Sequence, residues 1–229
     1  MKKTVKKRLI VGLIIAVGLS ILIYLLRGVF ALMLFFMSMD SSSKDDLVEN
    51  YELNKTAIHE LKTTFDNIVP NRFKVYIEFI DQNTIDLWVY EKKDTADKKM
   101  TCLFQQWNIN PYDYKMEPMT EYDSSEYAPK TKDLSFVKEK LNWTENTFIE
   151  IKKVLDNANC ISIENGEPSE IGFARSGMGK YFYYIFHDPI PENEIEKWND
   201  SCSYIYYEPQ VVLGYTGGAI GAQCFPDPD

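Results

Sequence analysis

The most extreme feature of the hydrophobicity pattern is an apolar run from Leu9 to Met39, interrupted by a single charge, Arg27. An α-helix rises about 1.5 Å per residue and the bilayer core is about 30 Å thick, so about 20 apolar residues suffice for one crossing. Residues 9–26 nearly reach that length, whereas the segment after Arg27 is too short for a second crossing. The run therefore predicts one transmembrane helix with a core span of residues 9–26.

The charges on either side of this run predict its orientation. The preceding residues contain five basic side chains: Lys2, Lys3, Lys6, Lys7 and Arg8. Acidic residues follow from Asp40 onward, so the positive-inside rule places the amino end in the cytoplasm and the rest in the periplasm or outside the cell. A cleaved signal peptide has the same basic flank, but its apolar region is shorter and ends at a small-x-small site that is missing here. We therefore predict a retained signal anchor in the cell membrane.

Beyond the anchor, apolar spacing changes from helical to strand-like. Apolar residues recur at three- and four-residue steps from Leu47 to Ile68, which predicts a helix with one buried face, ended by Pro70. Alternating apolar and polar residues then predict three strands in a meander, at residues 73–79, 85–89 and 100–107. The next stretch, residues 108–133, has three prolines and no periodicity, which predicts a long loop or linker.

The remaining chain repeats the order of helix and strands. A short helix at 134–141 and a second one capped by Thr144 precede further strands, and a short helix begins at Pro191. The predicted strands are residues 160–164, 170–174, 181–186, 202–207 and 211–215. We therefore predict an α+β fold: a transmembrane helix, then one or two antiparallel-sheet domains in helix-then-meander order, consistent with duplicated halves. The predicted regions are a basic tail (1–8), a signal anchor (9–39), a helix with a meander (40–107), a loop or linker (108–133) and a second helix-and-strand region (134–229).

The charge balance narrows the class of partner. All 34 acidic residues lie after Met39, together with 19 of the 25 basic residues, so the exported part has a net charge of −15. Such a balance argues against nucleic acid and anionic lipid as partners. It is compatible with a basic protein partner or divalent cations, and also with a solvated acidic surface that has no partner.

Four cysteines all follow the apolar run. An even number of cysteines outside the cytoplasm favours disulfides, and three pairings of four cysteines exist. We expect Cys202 to pair with Cys224, because they bracket the last strands, and Cys102 to pair with Cys160, because each lies on a predicted strand. None stands in a C-x-x-C arrangement, so neither a zinc site nor a thioredoxin-like redox motif is predicted.

No catalytic motif has the required spacing. The Gly177–Lys180 segment lacks the earlier glycine and the following helix of a phosphate loop. The two histidines are His59, beside the helical stripe and expected to be a surface or boundary residue, and His187, at a strand end. No G-x-S-x-G or H-E-x-x-H motif accompanies them. We assign no catalytic residue, cofactor or metal ligand, and keep as the alternative function an envelope hydrolase with a site near His187 and the 108–133 loop.

Aromatic residues are the most suggestive binding candidates. Residues 181–186 and 204–207 place bulky rings on both faces of their strands. One face has to be core, and the other predicts a surface for a sugar or a peptide, because tyrosine combines contact area with a polar tip. The candidates are Tyr181, Tyr183, Tyr204, Tyr206 and His187. Central strands covered on both faces would show the same pattern.

The carboxy-terminal third carries a resemblance in its glycine turns and cysteines. The segments are Ile171–Phe173, Ser176–Tyr181, Asn199–Tyr204 and Gly217–Phe225. They resemble membrane-tethered or lipid-anchored envelope proteins of the Bacteroidetes, a group without an assigned activity. The resemblance implies an envelope location and transfers no site residue. With the other patterns, it predicts a single-pass membrane protein whose exported domain binds a protein partner, for example as an immunity-type inhibitor of a secreted toxin.

Overall fold

The structure, a computed structural model, describes residues 23–30, 42–93, 100–115, 133–177, 179–218, 221 and 223–226. The chain divides into two units, residues 1–41 and 42–229. In the first unit, residues 23–30 form an exposed helix, and the rest of the predicted signal anchor lies outside the described residues. No helix within the described ranges is long and apolar enough to cross a membrane.

The second unit begins with its longest helix, α1 (Lys44–Ile68). Ser43 caps it through a capping box, in which Asp46 N donates to Ser43 Oγ at 3.2 Å and Ser43 N donates to Asp46 Oδ2 at 2.8 Å. The residue before Pro70 is extended, as expected for a pre-proline position, and the helix ends there. The other helices are α2 (Leu134–Leu141), α3 (Glu145–Asn157) and a 3₁₀-helix (Glu192–Trp198).

Within the described residues, eight strands form one antiparallel sheet. They are β1 (Phe73–Phe79), β2 (Ile85–Lys92), β3 (Met100–Ile109), β4 (Ser162–Glu164), β5 (Ser169–Ser176), β6 (Gly179–Ile185), β7 (Tyr204–Glu208) and β8 (Val211–Thr216). Their order is β3-β2-β1-β4-β5-β6-β8-β7, so the two predicted meanders join where β1 pairs with β4. The predicted α+β fold with an antiparallel sheet is confirmed.

The three α-helices of this unit lie on one face of the sheet, which we term the inner face. α1 packs against β5, β6 and α3, and α2 packs against β3. Tyr183 Oη donates to the carbonyl of Leu47 at 2.8 Å and accepts from Asn50 Nδ2 at 3.1 Å, so its ring reaches α1 through the core. Tyr181 and Tyr183 are both buried there, which corrects the expectation that they belong to a binding surface.

Only one of the two expected disulfides is present. Cys202 is bonded to Cys224 and ties the end of the chain to the residues before β7. Cys102 and Cys160 are free, so the expected pairing between them is not formed. Cys102 lies on the outermost strand β3, whereas Cys160 follows α3 and precedes β4, three strands away in the sheet order. Neighbouring strands lie about 4.8 Å apart, so the gap is well beyond the reach of a disulfide.

Candidate binding face of the sheet

The face opposite the helices, here the outer face, carries polar residues at alternate positions. The strand register places two cross-strand rows on it. One row contains Asp86, Glu78, Ser162, Gly172 and Phe182, and the next contains Trp88, Tyr76, Glu164, Glu170 and Tyr184. Because side chains alternate between the faces of a strand, all of these point away from α1 and the core.

A buried carboxylate organises this face. Glu78 is only 1% exposed, and it accepts hydrogen bonds from Tyr76 Oη and from Arg175 Nε, the latter at 2.5 Å. Arg175 itself keeps 49% of its side chain exposed. The Nε of the guanidinium is therefore bound by the buried Glu78, while about half of the Arg175 side chain faces solvent. A charged group this deeply buried requires such compensation to be tolerated.

A β-bulge brings Arg175 to the outer face. The pairing of β5 with β6 shifts register between Gly172 and Ala174, so Phe173 is an extra residue in β5. Without this extra residue, strict alternation from Gly172 would point Arg175 towards the helices. The bulge re-aims the side chain so that it meets Glu78 on β1.

A second ion pair lies beside the first. Lys180 Nζ lies 2.9 Å from Glu170 Oε1 and 5.0 Å from the centroid of the Tyr76 ring, a cation–π distance. Gly172 makes room for its stem, because a Cβ added there would lie 2.1 Å from Ser162 Oγ and 3.2 Å from Lys180 Cδ. The hydroxyl of Ser162 is buried and has no hydrogen-bond partner in the described part of the chain.

Asp86 adds an acidic group directly opposite Glu78 on the neighbouring strand. Burial raises the pKa of its carboxyl, and the nearby Glu78 charge adds to that effect. Asp86 Oδ1 accepts from the backbone N–H of Asn108 at 2.9 Å, and Asn108 adopts a left-handed backbone conformation with φ of 55°. The site thus contains a buried acid that the protein stabilises poorly in its charged form.

Three aromatic rings continue the site towards the edge strand β3. The ring centroids of Tyr76 and Trp88 lie 4.6 Å apart, and those of Trp88 and Trp107 lie 6.0 Å apart in an edge-to-face arrangement. Trp107 is 54% exposed. The indole N–H of Trp88 is buried and finds no acceptor among the described residues. We call the set Tyr76, Glu78, Asp86, Trp88, Trp107, Arg175 and Lys180 the outer-face cluster.

The other half of the outer face is covered by the chain itself. Trp198, at the end of the 3₁₀-helix, contacts the rings of Tyr184, Phe186 and Tyr204 at centroid distances of 5.2–5.8 Å. Tyr204 therefore packs against Trp198 and does not form an open binding surface. Tyr206, on the same strand and face, is half-buried.

His187 lies apart from the outer-face cluster, just after β6. It is exposed, its backbone N–H donates to Glu167 Oε1 at 2.9 Å, and its carbonyl accepts from Gln210. The described contacts of His187 thus involve its backbone and assign no role to its imidazole. Most of the loop predicted to accompany it, residues 116–132, lies outside the described residues.

A separate polar cluster joins α1 to β7. Tyr51 Oη donates to Glu208 and lies 3.0 Å from His59 Nε2, and Lys55 Nζ lies 2.6 Å from Glu208 Oε2. Because the single hydroxyl proton of Tyr51 is used by Glu208, His59 donates from Nε2 to Tyr51. Burial lowers the pKa of His59, so the ring stays neutral more readily than in water. These contacts connect α1 to β7, and Tyr51, whose hydroxyl lies at their centre, is fully buried.

The outer-face cluster was not predicted from the sequence, although some of its residues stand at recognisable polar positions of predicted strands. Tyr76, Glu78, Asp86 and Trp88 occupy the polar positions of two strands whose apolar positions were used to predict the core. Arg175 could not have been added, because the bulge reverses its expected side.

Within the described ranges, no three potential ligands are grouped to hold a metal ion. No family model, curated protein or solved structure matches the chain.

Proposed function

We propose that the chain is a single-pass membrane protein whose exported domain binds a protein partner through the outer-face cluster. The location rests on the apolar run of residues 9–39, its basic flank and the acidic composition of the part that follows. The bond between Cys202 and Cys224 is compatible with an oxidising compartment. The resemblance to envelope proteins of the Bacteroidetes supports the same location.

One observation supports the binding role most directly: the buried Glu78 holds a half-exposed Arg175 on the same face of the sheet as the exposed Trp107. Arginine, tryptophan and tyrosine are the residue types that dominate binding hot spots. A side chain fixed in advance loses little conformational entropy on binding, so such an arginine is a favourable anchor.

The partner proposed here is a protein with a basic surface. The exported part carries a net charge of −15, which favours association with a positively charged partner and repels polyanions. An immunity-type inhibitor that neutralises a secreted toxin is one role that fits such a surface. The hydrolase alternative stays a prediction from sequence position, since only backbone contacts involve His187 among those described.

Site-specific crosslinking of the membrane-anchored protein tests the binding face. A photo-reactive phenylalanine analogue replaces Trp107 in one version and Leu53 in the control, because Leu53 is a large apolar residue on α1 that is 75% exposed. We expect a crosslinked partner from position 107 and none above background from position 53. Arg175→Ala should abolish that crosslink. Equal crosslinking from both positions would contradict a role for the outer face.

Topology has a separate test. A periplasmic reporter enzyme fused after Asp229 should be active if the domain is exported, whereas a cytoplasmic reporter at the same place should be active if it is not. Thiol titration after denaturation without reductant should find two free thiols per chain, those of Cys102 and Cys160. Four thiols together with an active cytoplasmic reporter would overturn the proposed location.

A further inference from the structure

A cavity of about 370 Å³ lies on a different part of the domain, between the end of β1, the end of α3 and the bulged strand β5. It is lined by Phe79, Ile80, Asp81, Gln82, Lys152, Asp156, Asn159, Cys160, Ile161 and Phe173. Its volume is at the small end of the range of about 300–1,000 Å³ that is usual for small-molecule sites. The cavity is therefore matched to a small ligand or to one inserted side chain.

The apolar walls of this cavity are aromatic and aliphatic. Phe79 ends β1, Ile161 precedes β4, and Phe173 is the extra residue of the β-bulge. The bulge that turns Arg175 outward thus also supplies the Phe173 wall. The thiol of Cys160 donates to the carbonyl of Ala158 at 3.3 Å, and burial raises its pKa, so it stays protonated and acts as another apolar group.

One cationic group, Lys152, lies in the cavity wall. Its side chain is only 17% exposed, its Nζ is paired with Asp156 Oδ1, and the ammonium lies 5.8 Å from the centroid of the Phe79 ring. An ammonium has three N–H donors, and a single contact with Asp156 leaves donors for another acceptor. Lys152 is therefore positioned to bind the oxygen of a ligand whose body contacts Phe79.

The charges around the cavity select against charged ligands. Two carboxylates, on Asp81 and Asp156, disfavour an anion, and the ammonium of Lys152 already occupies the aromatic face that a cation would use. The carboxylate of Asp81 is committed to its own turn, where it accepts from the N–H groups of Asn83 and Thr84 at 2.7 and 2.8 Å. Its charge therefore adds to the repulsion of an anion, while the ammonium of Lys152 opposes a cation.

We propose that this cavity binds a neutral ligand that combines a branched or aromatic hydrocarbon group with a carbonyl oxygen accepting from Lys152. Amides of apolar amino acids have this chemistry, either as free small molecules or as part of a longer peptide. The proposal is independent of the outer-face cluster, because Phe79 lies on the inner face of β1, Ile161 precedes β4 and Lys152 belongs to α3.

The test is a titration of the full chain in detergent micelles, followed by the methyl signals of Ile161 and Ile80. The probes are N-acetyl-leucinamide, which is neutral, N-acetyl-leucine, which is anionic, and leucinamide, which is cationic. We expect saturable shifts with the neutral probe and at least about threefold weaker binding of each charged probe. Acetyl-Gly-Leu-Gly-amide separates the two sources, since it binds equally well only if the cavity admits a peptide.

Lys152→Met should weaken binding of the neutral probe about tenfold, because the hydrogen bond from a charged donor is lost. Lys152→Arg keeps a donor and should retain the preference for the neutral probe. Lys153→Met, at the neighbouring exposed lysine outside the cavity, should leave binding unchanged. The proposal is overturned if no probe shifts Ile161, if a charged probe binds as tightly as the neutral one, or if Lys152→Met and Lys153→Met behave alike.

Discussion

The inner and outer faces of the same sheet are buried in different ways. The inner face is lined by apolar side chains such as Phe73, Ile77 and Leu213, and its polar Tyr183 is fully hydrogen-bonded to α1. The outer face holds the buried charged residues Glu78, Asp86 and Lys180, whereas on the helix side Lys62 of α1 is buried and donates to Ser169. The described buried side-chain polar atoms without a partner all lie on the outer face, on Trp88, Ser162 and Trp198. The inner face therefore supplies most of the apolar burial that stabilises the fold. The polar composition of the outer face is better explained by a role in binding than by a role in stability.

The energetic contrast follows from the chemistry of burial. Burying a large apolar side chain contributes about 1.5–3 kcal/mol, and the inner face repeats that gain along every strand. A buried ion pair often contributes no more than apolar residues of the same volume would, while breaking it is costly. Charges buried at such a cost are typical of functional sites, where binding offsets the loss of stability.

Removing a large inner-face contact should give the largest effect. Phe65, on α1, is fully buried and meets the Trp143 ring at a centroid distance of 6.3 Å. Phe65→Ala should lower the free energy of unfolding by about 3–5 kcal/mol, through lost transfer energy and a residual cavity. Urea denaturation measures this, with Leu53→Ala on the same helix as an exposed control that should change stability by less than about 0.5 kcal/mol. Similar losses in both variants would contradict the assignment of the buried face.

Breaking the ion pair of the outer face should give the next largest effect. Arg175→Met leaves the buried Glu78 without its cation, so we expect a loss of about 2 kcal/mol, at the middle of the range for stranding a buried polar group. Glu78→Gln in the same chain should recover most of that loss, because the uncompensated charge is gone. A double-mutant cycle by urea denaturation measures the coupling. Additive losses would show that the pair does not act as a unit.

Removing the poorly stabilised acid should raise stability. Asp86→Asn keeps an oxygen for the N–H of Asn108 and abolishes a carboxylate whose pKa is raised by burial. A raised folded pKa means that ionisation is harder in the folded state, so ionised Asp86 destabilises the fold at neutral pH. We expect a gain of about 1 kcal/mol at pH 7, the usual scale of a single substitution. The gain should shrink as the pH falls towards 3.8, where the unfolded carboxyl also becomes protonated.

The control for this variant is Asp81→Asn in the exposed β1–β2 turn. There the backbone N–H of Asn83 heads the hydrogen bonds that lower the pKa of the carboxyl, so the substitution should lower stability at neutral pH. A gain of stability in Asp86→Asn together with a loss in Asp81→Asn would show that the outer face disfavours its carboxylate, whereas the turn favours its own. A loss of stability in Asp86→Asn would show that the buried acid is well accommodated.

Local patterns predicted the elements of this fold but not how their two faces are used. Thr144 and the alternation in β1 and β2 are local signals, and both were sufficient to locate a cap and two strands. The pairing of β1 with β4 joins segments that are far apart in sequence, so no local pattern records it. Rings occur on both faces of β6, and periodicity alone could not tell which of them, Tyr183 or Tyr184, faces the core.

The bulge and the cysteines show two further limits. Strict alternation assigns Arg175 to the helix side, and only the register shift at Phe173 reverses it. Cysteine count predicted two bonds, but a disulfide requires close Cα atoms, which depends on the strand order. Cys202 and Cys224 meet because the chain end returns to β7, whereas the strand order separates Cys102 from Cys160.

The smallest effect concerns the helix side of the domain, at His59. Its pKa is lowered from 6.5 by burial, so the unfolded state binds its proton more readily than the folded state. Stability should therefore rise with pH up to about 6.5 and fall below it, the opposite slope to that of Asp86. His59→Gln retains a donor for Tyr51 Oη and should flatten this slope, measured by urea denaturation between pH 5 and 7.5. His187→Gln, at the exposed histidine, should keep it, and an unchanged slope in His59→Gln would assign the pH dependence to another group.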